Sequence, residues 1–306
     1  DLVVPPDCII NPNPPHSTNY YFELQQTMMM AVYAALNPVL GPDAVPHDSA
    51  MNGHTANGVL DGQEWWSGRS TGSHSPWGGS REGDGDTQQA NIFLNMPVTG
   101  IEDDETTSPF VSLSLDLIPD SAGPGRFRGG VARYIDSWWS RRANHNSTHF
   151  HTRQAIAGGG VYGGGAGLLG GCWLWDADSV GIDPQQGLPK SLRGDFYSSS
   201  IPLYGRFDPT TKELDPNGGY VWAGVTSAGI GTVVRSVSNG AGGWGDPLER
   251  DPRAVLTDVR DEYVTIEGAR RDYGVVVSGD PQHDPEGLVL DSDATQRLRR
   301  TMRSAR

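Results

Sequence analysis

Histidine and tryptophan cluster in one stretch of this chain: Asn52-Gly53-His54, Trp65-Trp66 and His74-Ser75-Pro76-Trp77, set among glycines and serines. Imidazoles exchange protons near neutral pH, and indole rings offer apolar walls with one hydrogen-bond donor each. Large rings in a glycine-rich stretch must bury against something. His54, Trp65, Trp66, His74 and Trp77 are therefore candidate substrate contacts, with a subunit interface or plain packing as the competing reading. A second group, His145, His149 and His151, contains the i, i+2 pair His149/His151. On a strand that spacing sets both imidazoles on one face, where they could ligate a metal; polar residues on the wet face of an edge strand are the plainer reading. No residue is assigned to acid or base catalysis.

Other strings look like motifs and fail on context. Gly165-Ala166-Gly167-Leu168-Leu169-Gly170 satisfies G-x-G-x-x-G. Glycine precedes it where a dinucleotide site needs a strand, and Cys172-Trp173-Leu174-Trp175 follows where a helix N-terminus should hold pyrophosphate. Gly68-Arg69-Ser70-Thr71-Gly72 matches G-x-S-x-G, but Gln63-Glu64-Trp65-Trp66 is not the buried apolar strand that leads into a nucleophile elbow. A turn is expected there. Asp84-Gly85-Asp86 and Asp103-Asp104-Glu105 carry oxygen ligands without the spacing of a calcium loop, and both read as solvated turns. No G-x-x-x-x-G-K-[ST] occurs, so nothing identifies an ATP site.

The elements that must position these residues are only partly periodic. Asn19 can cap a helix to about Leu36, because Tyr21, Leu24, Met28, Ala31, Val32 and Ala35 recur at helical spacing and Asn37-Pro38 should stop it. From Gly41 to Pro97 no helical period survives, and loops stacked on a larger body are expected. Val111, Leu113, Leu115 and Leu117 alternate with Ser112, Ser114 and Asp116, the signature of a half-buried strand. Residues 130–135, 148–153, 220–226 and 231–237 read as further strands, and 158–171 and 208–219 as insertions or long loops. The expected fold class is α+β: a β-rich body of short strands with long Gly/Pro-rich loops and helices near both ends. One domain is expected over 1–290, followed by a basic tail over 291–306, either an amphipathic helix docking on an acidic partner or a solvated end.

Composition narrows the classes. The 41 glycines and 22 prolines exceed a fifth of the 306 residues, which favours turns and short strands over long helices. A net charge of −14 repels phosphate backbones and argues against nucleic acid as a partner. Cys8 and Cys172, without a CxxC or Cys/His cluster, support neither a disulfide framework nor structural zinc. No apolar run is long enough to span a bilayer and no leader pattern opens the sequence, so a membrane partner lacks support and a cytoplasmic location is expected.

The C-terminal run Gly242-Gly243-Trp244-Gly245-Asp246-Pro247-Leu248-Glu249-Arg250-Asp251-Pro252 is the most specific string, closed by Ala269-Arg270-Arg271-Asp272-Tyr273-Gly274-Val275-Val276. Gly245 should let the chain turn back at positive φ, Asp246 should gather backbone N–H groups in an Asx-type turn, and Pro247 should fix the exit. Asp251-Pro252 is an N-cap followed by a proline at the first helical position, so a helix should start there. Val255, Leu256 and Val259 would line its apolar face, and Asp258, Arg260, Asp261 and Glu262 would face water.

With Ile10-Asn11-Pro12-Asn13-Pro14-Pro15 and Leu117-Ile118-Pro119-Asp120-Ser121-Ala122-Gly123-Pro124-Gly125-Arg126-Phe127-Arg128-Gly129-Gly130, that run resembles the second half of B-type subunits of the hydantoinase B/oxoprolinase family. The resemblance covers roughly residues 1 to 135 and 240 to 277 and includes the acetone and acetophenone carboxylase branch. It implies a two-subunit machine. ATP and a divalent metal are expected on partner subunits, a hydantoinase A-like ATP-binding subunit and a subunit carrying the family's N-terminal half with its metal site; neither is expected on this chain alone. With Asp1 at its head, the chain is expected to be a processed fragment or one piece of a split subunit. The substrate implied is a small carbonyl or lactam compound. A histidine-rich run is expected before Asn-x-Pro in the hydrolases, whereas this chain reads Asp86-Thr87-Gln88-Gln89-Ala90-Asn91-Ile92-Phe93-Leu94-Asn95-Met96-Pro97. That departure and the tryptophans favour an ATP-dependent ketone carboxylase working through a phosphorylated enol. ATP-dependent cyclic-amide hydrolysis is the alternative, and a non-catalytic scaffold the third reading.

Overall fold

The computed structural model describes residues 5–7, 11, 13–14, 21–46, 52–60, 62–69, 76–87, 100–139, 143–149, 159–168, 170–175, 201–204, 223–228 and 230–306. Helix α1 (Tyr21–Leu40) comes first, ending in a 3-10 turn at Gly41–Asp43. Strands β1 (Asn52–Leu60) and β2 (Gln63–Arg69), helix α2 (Ile101–Thr107) and strands β3 (Phe110–Leu117), β4 (Arg133–Trp139) and β5 (Ala143–His149) follow. Then come β6 (Gly171–Trp175), β7 (Ile201–Tyr204), β8 (Ala223–Ala228) and β9 (Val233–Val237). Helices α3 (Pro252–Arg260) and α4 (Ile266–Tyr273), the short pair β10 (Val277–Ser278) and β11 (Val289–Leu290), and helix α5 (Ser292–Ser304) complete the described elements. One sheet has the order β3-β4-β9-β6-β7 and a second the order β2-β1-β5-β8; the described pairings within them are antiparallel. The fold is α+β, with helices toward both ends.

Several local expectations move. Helix α1 runs through Pro38 to Leu40 instead of stopping before it. A proline in the last turn removes one hydrogen bond near a frayed end, and the Asn37 amide braces the exit by both accepting from Val45 N and donating to Val45 O, each at 2.9 Å. Within the stretch expected to be loops, the described residues hold the hairpin β1-β2, whose register pairs Leu60 with Gln63. Gly62 has φ 78°, the positive value a tight hairpin turn demands. Asp103, Asp104 and Glu105 lie on α2 instead of a solvated turn; Asp104 is buried and Glu105 accepts from Ser112 N at 2.7 Å.

Strand β3 forms where the alternation places it, but a bulge between Ser112 and Ser114 breaks its register against β4. Ser114 Oγ donates to Asp136 at 2.6 Å there, and Leu115 is left exposed. The strands expected at 130–135, 148–153, 220–226 and 231–237 begin at Arg133, Ala143, Ala223 and Val233. Behind the β4-β9 pair, Ala132, Leu168, Trp175, Val233 and Val237 form a core cluster, with Tyr134 and Trp138 packed on it.

The glycine-rich tract at 158–171, expected to be an insertion, is central wherever it is described. It lies between residues 121–130 and 238–245, and the three segments pack backbone to backbone. Gly165 N donates to Pro124 O (2.6 Å), Gly243 N to Gly165 O (3.0 Å), Gly240 N to Leu168 O (2.8 Å) and Gly123 N to Ala241 O (2.8 Å). A Cβ at Gly129 would strike the carbonyl of Ala241, and one at Gly243 the carbonyl of Pro124, so only glycine fits this seam. Residues 76–86 lie against it: Gly130 N donates to Trp77 O and Gly79 N to Gly242 O.

The C-terminal segment closes the body. Asp251 caps α3 by accepting from Arg253 N at 2.9 Å, with Pro252 in the first turn as expected. Thr265 caps α4 and is itself held by Asp120, which accepts from Thr265 N and Oγ1 at 2.9 and 2.6 Å. A second core cluster gathers Val255, Val259, Val264, Ala269, Tyr273, Val275 and Val277. Helix α5, capped by Asp291, docks on this chain's own carbonyls: Arg299 donates to Tyr273 O and Arg250 O, and Arg303 to Leu248 O.

Candidate functional site

The second sheet gathers much of the histidine and tryptophan group. His54 on β1 pairs with Arg69 of β2 and Ser147 of β5, while Asn52 pairs with His149 and Ala56 with His145. By strand alternation, positions 54, 145 and 149 fall on one face of the sheet, with 145 and 149 diagonal to 54, about 7–8 Å apart at such sites. Trp65 and Trp66 lie on β2 opposite Gly58 and Asn57. Trp77 stands on a different element, the 76–86 segment, where its backbone bonds Asp86 and Gly130 and its ring is 41% exposed. His74, His151 and Ser70 lie outside the described residues. Among the described residues, no group of three or more His, Cys, Asp or Glu is arranged to hold a metal.

The G-x-G-x-x-G run has its backbone donors turned inward. Gly165 N donates to Pro124 O, Leu168 N to Ser121 O, and Gly170 N to Asn239 Oδ1 at 2.5 Å. A phosphate cradle needs those N–H groups pointing at a ligand. Here they hold the seam together, so this run does not fit a nucleotide.

Sequence reasoning missed a charge cluster under the seam. Asp258 was expected to face water; it is 4% exposed, accepting from Arg128 Nε at 2.9 Å and Arg250 Nε at 3.0 Å. Asp84, expected in a solvated turn, accepts from Arg250 Nη1 and Nη2 at 2.6 and 2.7 Å and from Arg128 N at 2.9 Å. Arg128 also stacks over the Tyr263 ring, its guanidinium 4.3 Å from the centroid. Burial pushes the Asp258 carboxyl up, with Arg128 and Arg250 pulling against it. Burial likewise works to lower Arg250, but the Asp84 hydrogen bonds and the Asp258 and Asp84 charges outweigh it and hold the guanidinium above its ordinary value. Two cations and two anions thus balance. The signal was present in part, since Arg128 and Arg250 lie inside the two most specific strings of the sequence.

Asp84 and Arg250 of this cluster line a cleft of about 410 Å³, together with Gly83, Arg126, Phe127, Glu249, Asp251 and Ala254. Nearby, Gly245 has φ 75°, and Asp246 accepts from Leu248 N at 2.9 Å with Pro247 next, the turn the sequence implied. A wider groove of about 480 Å³ runs between the end of α1 and Gly160, Val161 and Tyr162.

A fold of short antiparallel strands closed on a glycine seam, with the strings that resemble a B-type subunit at its joints, defines the class. The hydantoinase B/oxoprolinase family model matches residues 1–247, and the chain belongs to that family. An uncharacterized protein of Methanocaldococcus jannaschii is 27% identical over 302 residues, covering 98% of this chain and 45% of that protein. This chain therefore spans less than half of that relative's length. Caprolactamase subunit beta of Pseudomonas jessenii is 46% identical over 65 residues, 21% of this chain and 11% of that subunit. Among solved structures, nucleotide-free acetone carboxylase, from a study of ATP-dependent acetone carboxylation, superposes with a TM-score of 0.62 at 19% identity, covering 90% of this chain and 36% of that one. That likeness carries the fold. ATP-dependent caprolactamase from Pseudomonas jessenii superposes with a TM-score of 0.57 at 25% identity, covering 84% of this chain and 39% of that one. No helix among the described residues is long and apolar enough to cross a membrane.

Proposed function

We propose that this chain is part of the B-type half of an ATP-dependent enzyme acting at a carbonyl carbon, and that a cyclic amide is its substrate class. The observation that carries this is likeness to caprolactamase on two counts, a local sequence match at 46% identity and a superposition over 84% of the chain. ATP supplies a phosphoryl group: on an amide oxygen it opens the carbonyl carbon to attack by water with phosphate as the leaving group, and on the enol oxygen of a ketone it traps the enol, whose P–O bond breaks when carbon is carboxylated. The inward bonds of the G-x-G-x-x-G run support a reading in which an A-type partner binds the nucleotide; on the same reading the N-terminal half of the B-type protein holds the metal. In this chain, His54, Trp65, Trp66, His74 and Trp77 wall the carbonyl substrate, and the Arg128/Arg250/Asp84/Asp258 cluster fixes the seam behind the cleft.

Ketone carboxylation through a phosphorylated enol is the second reading. It is favoured by the tryptophans and by Thr87 to Pro97 standing where a hydrolase histidine run is expected. The test is ADP release by the assembled complex with caprolactam, 5-oxoproline or acetone, each with and without bicarbonate. Lactam-dependent turnover that ignores bicarbonate is expected; turnover requiring both ketone and bicarbonate would move the assignment to the second reading. The native assembly should be hetero-oligomeric, and a fully active monomer of 32.9 kDa would overturn the partnership.

A further inference from the structure

Arg128, Arg133, Arg235 and Arg250 are buried, at 7, 2, 2 and 3% exposure. Arg128 and Arg250 share Asp258, Arg250 also grips Asp84, and Arg235 makes a bidentate pair with Asp136 at 2.6 and 2.7 Å. Arg133 differs. Its Nε, Nη1 and Nη2 are all buried, and none has a hydrogen-bond acceptor among the described residues. Burial pulls its pKa down to about 10, so the group stays cationic at neutral pH. An unpaired buried cation is among the costliest features a fold can carry.

The backbone at this corner is well determined. Arg133 opens β4, its N donates to Ser238 Oγ at 3.0 Å, and Ser238 N donates back to Arg133 O at 2.9 Å. The next residue, Asn239, is fully buried; its Oδ1 accepts from Gly170 N, which fixes the amide, and its Nδ2 has no acceptor. Among the described residues the Arg133 guanidinium thus stands without an acceptor at the corner where the five-stranded sheet runs into the glycine seam. Donors alone call for an acceptor-rich, negatively charged ligand. A guanidinium fork holds a planar or tetrahedral oxyanion through two parallel N–H bonds, most strongly where water is excluded.

We infer that the Arg133 guanidinium forms an internal binding site for a small oxyanion. The chemistry shared by a phosphoryl group, bicarbonate and a carboxylate fits it, and the site does not depend on whether lactam hydrolysis or ketone carboxylation is the reaction.

Titration calorimetry and thermal unfolding of the full chain test this, with inorganic phosphate, bicarbonate and acetate as probes and sodium chloride at matched ionic strength as the reference. Binding of at least one probe is expected, with the unfolding midpoint rising by a few degrees at about 100-fold excess over Kd. Arg133→Lys keeps the charge without the fork and should weaken binding about 10-fold or more. Arg133→Met should lose binding while unfolding at a higher temperature than the wild type without added anion, because it removes an unpaired charge. That rise shows the variant is folded. A phosphate-only response marks a phosphoryl site, a bicarbonate-only response a carboxylation site, and an acetate-only response a carboxylate site; each supports the inference. Wild-type chain that responds to none of the three, or Arg133→Met that binds as tightly as wild type, overturns it. Neither result touches the turnover test of the assembled complex, so the two proposals fail separately.

Discussion

Arg250 and Arg133 are buried almost equally, at 3% and 2% exposure, and the fold provides for them in opposite ways. Around Arg250, two carboxylates and the Arg126 carbonyl take the guanidinium donors, and the cluster joins the 76–86 segment, the seam and α3. Around Arg133 the backbone is equally well bonded, yet the charge faces nothing built in. Burial by itself therefore does not separate a structural cation from a functional one. The acceptor inventory does: a closed set marks a clamp, and an open set marks the group on which the oxyanion proposal rests.

The largest expected effect comes from opening the closed set. Asp258→Ala strands Arg128 and Arg250 in the interior and should cost about 3–5 kcal/mol, read from urea unfolding midpoints. A loss below about 1 kcal/mol would mean the cluster is not the clamp described. The reverse manipulation closes the open set. Leu117 is the register partner of Arg133 across β3-β4. Leu117→Glu would place a carboxylate beside the guanidinium, with directly opposed Cβ atoms about 4.5–5.5 Å apart. It should alter stability by about 1 kcal/mol or less and abolish the response to added oxyanion; an unchanged calorimetric titration would break the comparison. The smallest effect belongs to the exposed limit, Asp246, which pairs with Arg306 at 2.8 Å on the surface. Asp246→Asn retains a capping side chain and should change stability by less than about 0.5 kcal/mol. Intact assembly with lost turnover in that variant would instead make Asp246 a catalytic carboxylate.

What the sequence disclosed follows from the range of the forces involved. The start of α3 at Asp251-Pro252 and the turn at Gly245-Asp246-Pro247 were legible because a cap and a turn are decided by neighbours. Strand β3 was legible from its alternation, although the bulge was not. The β1-β2 hairpin went unrecognised since His, Asn and Gly dilute its alternation, yet Asp61-Gly62 carried the turn signal. Asp258 read as a solvent-facing helix residue because its partner Arg128 is 130 positions away. The glycine tract read as an insertion for the same reason: what selects glycine there is the carbonyl of a distant segment. Of the candidate site, β1 and β5 bring positions 54, 145 and 149 to one sheet face, while Arg133 carried no signal at all, being a lone arginine at the start of a strand.

The seam also sets a timetable. A ribosome adds about 5–20 residues per second, so Arg128 emerges on the order of ten seconds before Asp258 exists to receive it. For most of that interval the first glycine segment lacks residues 238–245, one of its two seam neighbours. The charge cluster consequently locks only after α3 has been made, and a nascent chain halted before Pro252 would present partners with an open joint instead of a finished surface.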